Sequence, residues 1–235
     1  MTIQSVFAKA FALALLCASA QVAAAPPHAF SAEYNVAQSG QPLGTAQVSL
    51  HPADDGLWVY RRDVTGTGGL AAVLGASTSE RSTLRWKGDV PEAVSYDYRM
   101  QTAIKTRQRK LRVDWSAGKV SVDEGKGASS YAAQPGMVER NTLALAVGLA
   151  LRDGQRDITL PVAVRQAVEM QHFKVTGSEA ISVPAGSFKA LRVERTDADR
   201  GFTAWYVPER FPIPVRLSQH DGGDLQMDLA SYQSR

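Results

Sequence analysis

Cysteine, histidine and long apolar runs are what this chain of 235 residues has little of. Its one cysteine, Cys17, lies in an N-terminal stretch that reads as cleavable, so the chain beyond it has no disulfide, no thiolate ligand and no cysteine nucleophile. The four histidines, His28, His51, His172 and His220, never share the i, i+2 or i, i+4 spacing that places two imidazoles on one face of an element. No metal centre and no cofactor is expected. A Gly-x-Ser-x-Gly elbow is also missing, and Pro184-Ala185-Gly186-Ser187 reads as a hairpin turn. Net charge is only +3, falling to +2 without Lys9, which argues against nucleic acid as a partner.

What is present begins at the N-terminus. Lys9, the apolar run Ala10 to Cys17 and small residues up to Ala25 form the pattern of a secretory signal peptide. Cleavage after Ala24 gives a signal peptide over residues 1–24 and one domain over 25–235; a cut after Ala25 would put Pro26 beside the scissile bond. Leu16 precedes Cys17 where lipoprotein signals carry Gly, Ala or Ser, which argues against a lipid anchor. No later stretch reaches the roughly 20 apolar residues of a membrane helix. The expected product is a soluble periplasmic protein, in an ATP-free compartment that excludes kinases and NAD enzymes. About 210 residues suffice for a single all-β domain.

Strict two-residue alternation dominates that domain. Phe30-Ala32-Tyr34-Val36, Ala46-Val48-Leu50, Val94-Tyr96-Tyr98-Met100, Leu111-Val113-Trp115, Ile213-Val215-Leu217 and Leu225-Met227-Leu229 each predict a strand with one buried face. One-sided strands favour antiparallel pairing. Turn residues punctuate them at Ser39-Gly40-Gln41-Pro42, Asp54-Asp55-Gly56, Lys87-Gly88-Asp89, Ala117-Gly118 and Asp221-Gly222-Gly223. Asp123 to Ala128 reads as an exposed hairpin tip. Between Val168 and Val175 the apolar phase slips, predicting a β-bulge near Gln171 or His172.

One segment follows the helical period instead. Leu143, Leu145, Ala146, Leu149 and Ala150 predict a helix over 141–152, with Asn141 as its cap and Gly154 as its stop. A long one-sided sheet with a single apolar helix predicts a mainly β fold: a curved antiparallel sheet, half-barrel or open barrel, around one covering helix or a cavity beside it. A two-sheet β-sandwich is the alternative.

Several groupings could carry function. Gly66-x-Gly68-x-x-Ala71 formally matches a dinucleotide loop, but Gly75 follows too soon for the required helix, and a structural loop is the better reading. Leu70 and Leu74, within Gly69 to Leu74, could form an apolar lid. Trp58, Tyr60, Tyr96, Tyr98, Trp115 and Trp205 are candidates to line a ligand cavity, against the plainer reading of core aromatics. Arg99, Lys105, Arg107, Arg109, Lys110 and Arg112 concentrate positive charge; Arg99, Arg107, Arg109 and Arg112 are the candidate contacts to an anionic partner, against the plainer reading of a solvated sheet face. Asp114, Glu179 and Glu194 could pair for glycoside hydrolysis, though sequence does not fix their separation.

The second half carries a resemblance. Phe173-Lys-Val-Thr-Gly177-Ser-Glu179, Pro184-Ala-Gly186-Ser-Phe188-Lys-Ala-Leu-Arg192-Val, Trp205-Tyr-Val-Pro208 and Pro212-Ile-Pro214-Val-Arg216-Leu resemble the bacterial envelope proteins grouped as domain of unknown function 3108. Arg112-Val-Asp114-Trp115 and Asp228-Leu-Ala-Ser-Tyr232 fit as well. The resemblance implies an exported, mainly β protein and assigns no catalytic residue. It reads Gly186 and Pro208 to Pro212 as hairpin closures, and Pro214 falls on the outward phase of its strand, suiting an edge or bulge. Together these features favour a non-enzymatic binding or carrier module for an apolar or amphipathic, lipid-like ligand. The competing classes are an accessory envelope protein acting through protein contacts and, third, a hydrolase on envelope glycans or lipids.

Overall fold

The computed structural model describes residues 28–125, 127–198, 202–219 and 224–235; the expected signal peptide, His220 and the Asp221-Gly222-Gly223 turn lie outside them. The chain opens as a meander: β1 (Phe30–Gln38), β2 (Gln41–Pro52), β3 (Trp58–Gly66), a one-turn helix α1 (Gly69–Val73), β4 (Ser77–Lys87), β5 (Val90–Gln101), β6 (Thr106–Asp114), β7 (Lys119–Asp123) and β8 (Ala128–Ala132). Two residues of β9 (Val138–Glu139) lead into α2 (Leu143–Arg152), and a second meander follows: β10 (Asp157–Ala163), β11 (Val168–Val183), β12 (Gly186–Arg195), β13 (Phe202–Tyr206), β14 (Arg216–Gln219) and β15 (Leu225–Ser234). All fifteen strands join one open sheet in the order β8-β7-β6-β5-β4-β3-β2-β1-β15-β14-β13-β12-β11-β10-β9, antiparallel except at β9–β10.

The sheet curls because α2 has no polar face to leave in water. Leu143, Leu145, Ala146, Val147, Gly148, Leu149, Ala150 and Leu151 are all buried. Full burial of each large aliphatic side chain contributes about 1.5–3 kcal/mol, which no single flat layer could collect. The inward residues of β1 and β2 (Phe30, Ala32, Tyr34, Val36, Ala46, Val48, Leu50) therefore join Val193, Ala204, Leu217, Met227 and Leu229 in one core around the helix. The curl nearly returns on itself: the Ala93 amide in β5 donates to the Met137 carbonyl beside β9 at 2.9 Å. Beyond that seam, β6 to β8 continue past the helix and build a second apolar cluster from Tyr96, Leu111, Val120, Val122, Met137 and Ala163.

The helix ends as expected at Gly154, whose φ is +89°, but it is not capped by Asn141. Glu139 accepts the Asn141 and Thr142 amides at 2.8 and 3.1 Å, while the Asn141 side-chain amide donates to Ser82 Oγ at 2.9 Å. A carboxyl group satisfies the helix-end donors better than a neutral amide, which frees Asn141 for the sheet.

Other local expectations shift for similar reasons. Around the predicted bulge, β10 and β11 pair without slip from Asp157↔Lys174 to Ala163↔Val168; Gln171 simply faces inward and Met170 outward. The bulge lies at Thr176, between Val175 and Gly177. In β5 a bulge at Val94 leaves that residue half-buried between buried Ala93 and Tyr96, so the predicted alternation holds only from Tyr96 onward. Ile213 and Val215 are not in a strand. Residues 211–215 are buried one after another as irregular chain, since Pro212 and Pro214 cannot donate to a ladder. Pro214 is therefore not on an outward edge; its carbonyl accepts the buried Tyr34 hydroxyl at 2.7 Å.

A buried polar seam joins the two ends of the curl. Arg62 on β3 pairs with Glu80 on β4, which also accepts the Tyr96 hydroxyl at 2.6 Å; Ser82 donates to Glu139 at 2.6 Å. Burial alone would raise the Glu80 carboxyl, but the charge and hydrogen bond of Arg62 and the Tyr96 hydroxyl hold it below its ordinary value. Glu139 goes the other way, raised by burial despite its hydrogen bonds.

Two outcomes are expected. A Cβ at Gly148 would lie 2.1 Å from the Pro212 carbonyl, so Gly148→Ala should destabilise by about 1–3 kcal/mol in chemical denaturation. Glu80→Gln strands the Arg62 guanidinium and should cost about 3–5 kcal/mol at neutral pH. Because the Glu80 pKa is depressed on folding, that contribution is present above its ordinary pKa of 4.5 and is lost as pH falls through the folded value. The stability gap between wild type and Glu80→Gln should therefore close in acid.

Candidate functional site

Two concavities stand out, and they differ in kind. Beside the start of α2, Tyr34, Tyr60, Arg62, Asn141, Leu143 and Pro214 surround a pocket of about 80 Å³. That is room for a few water molecules and for no lipid chain. The helix fills the rest of the half-barrel.

The larger concavity is a cleft of about 860 Å³ in the extension of the sheet past the helix. Tyr96 and Tyr98 from β5, Arg107 and Arg109 from β6 and Val122 from β7 line it. Period-two geometry selects these residues: Tyr98 lies opposite Arg109 and Tyr96 opposite Leu111, so they share one face. The intervening residues Lys110 and Arg112 take the other face, while Gln108, nearer the β5–β6 turn, also reaches the cleft.

The remaining wall comes from distant sequence. β8 leans against the turn between β10 and β11, where the Tyr131 hydroxyl donates to the Val164 carbonyl at 2.6 Å and the Ser129 hydroxyl to the Arg165 carbonyl at 3.3 Å. Burial pushes the Tyr131 hydroxyl up to about 12, so it stays a neutral donor. Arg165 and Gln166 thereby reach the cleft from this turn, and Arg140 reaches it from the link between β9 and α2.

Charge in the cleft is lopsided. Lys105, Arg107, Arg109, Arg140 and Arg165 face one carboxylate, Glu124. Arg109 Nε donates to Glu124 at 2.7 Å and Arg165 pairs with its other oxygen. Burial would raise the Glu124 carboxyl, but these two guanidinium groups outweigh it and hold it below the usual carboxylate range. Among the described residues Lys105, Arg107 and Arg140 have no carboxylate within salt-bridge distance. Arg140 also acts on buried Glu80 through its charge, and the wall beneath these cations carries half-buried Tyr98 with the almost fully buried Tyr96 and Val122. Such a surface holds an anionic group by charge-assisted hydrogen bonds and an adjoining apolar body by contact.

The sequence-predicted residues divide between this cleft and elsewhere. Tyr96, Tyr98, Arg107 and Arg109 come together in it. Tyr60 lines the small pocket instead. Trp58 packs edge-on against Trp86 at 6.0 Å, Trp115 donates to the Ala93 carbonyl at 3.0 Å beneath Arg85, and Trp205 donates to Glu179 at 3.0 Å. Arg112 is held by Asp97 at 2.8 Å, and Arg99 donates to Gln101 at 3.0 Å.

Leu70 and Leu74 lie at the end of the sheet in and after α1. The glycines before them are explained by packing: a Cβ at Gly68 would lie 2.4 Å from the Pro42 carbonyl.

Of the three carboxylates, Glu179 and Glu194 share one partner, Arg192, at 3.4 and 2.6 Å, so a guanidinium sits where a water or glycosidic oxygen would be needed. Asp114 is apart from them, accepting the Ser116 hydroxyl and Ala117 amide, which lower its pKa. Among the described residues no cluster of three or more His, Cys, Asp or Glu could hold a metal ion. Sequence reading missed Glu124, Arg140 and Arg165. Arg140 and Arg165 are isolated from the run of cations in β6, and only the curl of the sheet brings them to it; Glu124 follows Asp123, which pairs with Lys110, so the β6–β7 hairpin sets it beside Arg109.

No described helix is long and apolar enough to cross a membrane. No curated protein matches the chain. Among solved structures, a beta-barrel-like protein of domain of unknown function DUF1849 from Brucella abortus is similar with a TM-score of 0.56 at 10% identity, over 90% of this chain and 100% of that one. At that identity the likeness carries the fold alone. The family profile described as protein of unknown function (DUF3108) matches residues 30–230, which spans the sheet from β1 into β15, and the chain belongs to that family.

Proposed function

We propose that the chain is an exported periplasmic binding or carrier module for an anionic amphiphile, a lipid-like molecule with a phosphate or carboxylate head. The observation that carries this reading is the cleft: five cations against one carboxylate, with Tyr96, Tyr98 and Val122 in its wall. The signal-peptide pattern of Lys9 and the run to Cys17 supports export. A filled half-barrel directs the ligand to the cleft, because about 80 Å³ beside α2 accommodates no acyl chain. In this reading the ligand head meets Arg107 and Arg140, which among the described residues have no carboxylate within salt-bridge distance, and its apolar body lies along Tyr98.

A dansyl-labelled fatty acid and the matching fatty alcohol test this by fluorescence titration. The acid should bind and weaken as salt is added, while the alcohol should bind poorly. Loss of a charge-assisted hydrogen bond costs about 1.5–3 kcal/mol, so Arg107→Ala and Arg140→Ala should each weaken the acid about tenfold or more. Equal affinity for acid and alcohol, or an acid that binds both variants as tightly as wild type, would remove the cleft from the account.

A further inference from the structure

We infer that the end of the sheet bearing α1 and the β5–β6 turn docks on the surface of an anionic bilayer, with Leu70, Val73 and Ile104 entering the headgroup boundary. Among the described residues only four large apolar side chains are exposed, and three of them are here: Leu70 at 70%, Val73 at 79% and Ile104 at 85%. They come from two separate loops that the fold ties together. The Ala103 amide donates to the Leu74 carbonyl at 2.8 Å, and the Thr67 and Gly68 amides both donate to the Leu43 carbonyl at 3.0 Å. Within the loop, Ala76 donates back to Ala71 at 2.9 Å and Gly66 to Ala76 at 2.8 Å. The backbone is thus held in place while its largest side chains point at solvent, at a hydration cost that an apolar partner would relieve.

Charge identifies the partner. No acidic residue occurs between Asp63 and Glu80, or between Asp97 and Asp114, so both loops and the strand ends that run into them carry no acidic side chain. The second stretch carries Arg99, Lys105, Arg107, Arg109, Lys110 and Arg112, and Lys105 directly follows Ile104. Apolar prongs with a basic collar fit a negatively charged bilayer, where insertion and headgroup attraction add. A protein interface would centre on aromatic anchors, and residues 66–76 and 102–105 contain none. The inference stands on the exposed prongs and holds whether or not the neighbouring cleft binds a ligand.

Co-sedimentation of the mature chain with vesicles tests it. The chain should sediment with mixed phosphatidylglycerol and phosphatidylcholine vesicles and far less with phosphatidylcholine alone. The triple variant Leu70→Asp, Val73→Asp, Ile104→Asp replaces only exposed side chains, so its denaturation midpoint should stay near wild type while partitioning falls at least about tenfold. Lys105→Glu should reduce partitioning roughly fivefold or more, since each basic residue near the surface contributes that much. Indifference of the triple variant, equal binding to neutral vesicles, or wild-type chain left in the supernatant would each overturn the inference. Crosslinking from Val73 to a protein partner, without vesicle binding, would assign the tip to a protein contact instead.

Discussion

A helix that is apolar around nearly its whole circumference cannot rest on one face of a sheet, and α2 is such a helix. Gly148 shows how close the fit is, because the Pro212 carbonyl occupies the space its side chain would take. From that single demand follow the curl of the sheet, the buried irregular segment 211–215 that covers the helix, and the carboxyl at Glu139 that closes its N-terminus. The seam of Arg62, Glu80, Tyr96, Ser82 and Asn141 forms where the curling sheet brings β3, β4 and β5 to the start of the helix. A charge buried there is tolerated because it is paired, and the pair resists any loosening that would strand one partner.

What the helix does not need becomes the candidate site. Strands β6 to β8 extend past the seam, and their concave face meets the β10–β11 turn through Tyr131 and Ser129. The cleft is therefore a by-product of a sheet longer than its core requires. It is lined with arginines because one face of β6 carries Arg107 and Arg109. Glu124 ties Arg109 to Arg165, and among the described residues Arg107 and Arg140 have no carboxylate within salt-bridge distance.

Much of the fold was legible in the sequence, since burial on one face writes itself as a period of two. The strands at Phe30, Ala46, Leu111 and Leu225 were readable that way, and so was the antiparallel open sheet they build, while the helix near Leu143 was readable from its helical spacing. Phase errors were less legible: the bulges at Val94 and Thr176 depend on the partner strand, which no local pattern contains. The segment with Ile213 and Val215 imitated a strand because every residue there is buried, a state that alternation cannot distinguish from half-burial. Of the site, Tyr96, Tyr98, Arg107 and Arg109 were visible as a local cluster. Arg140 and Arg165 were not, because their roles come from a closure between segments far apart in sequence. The same alternation, applied to β6, separates the arginines that line the cleft from Arg112, which an acid on β5 already holds.

The central claim is that the cleft carries an anionic amphiphile, and the most direct measurement is native mass spectrometry of the mature protein purified from its own host, with organic extraction of whatever accompanies it. The account predicts a bound molecule at one per chain, released into the organic phase, negatively charged, and absent when Arg107 and Arg140 are both replaced by Ala. A clean mass for the protein alone, reproduced under gentle ionisation and unchanged by those substitutions, would contradict it.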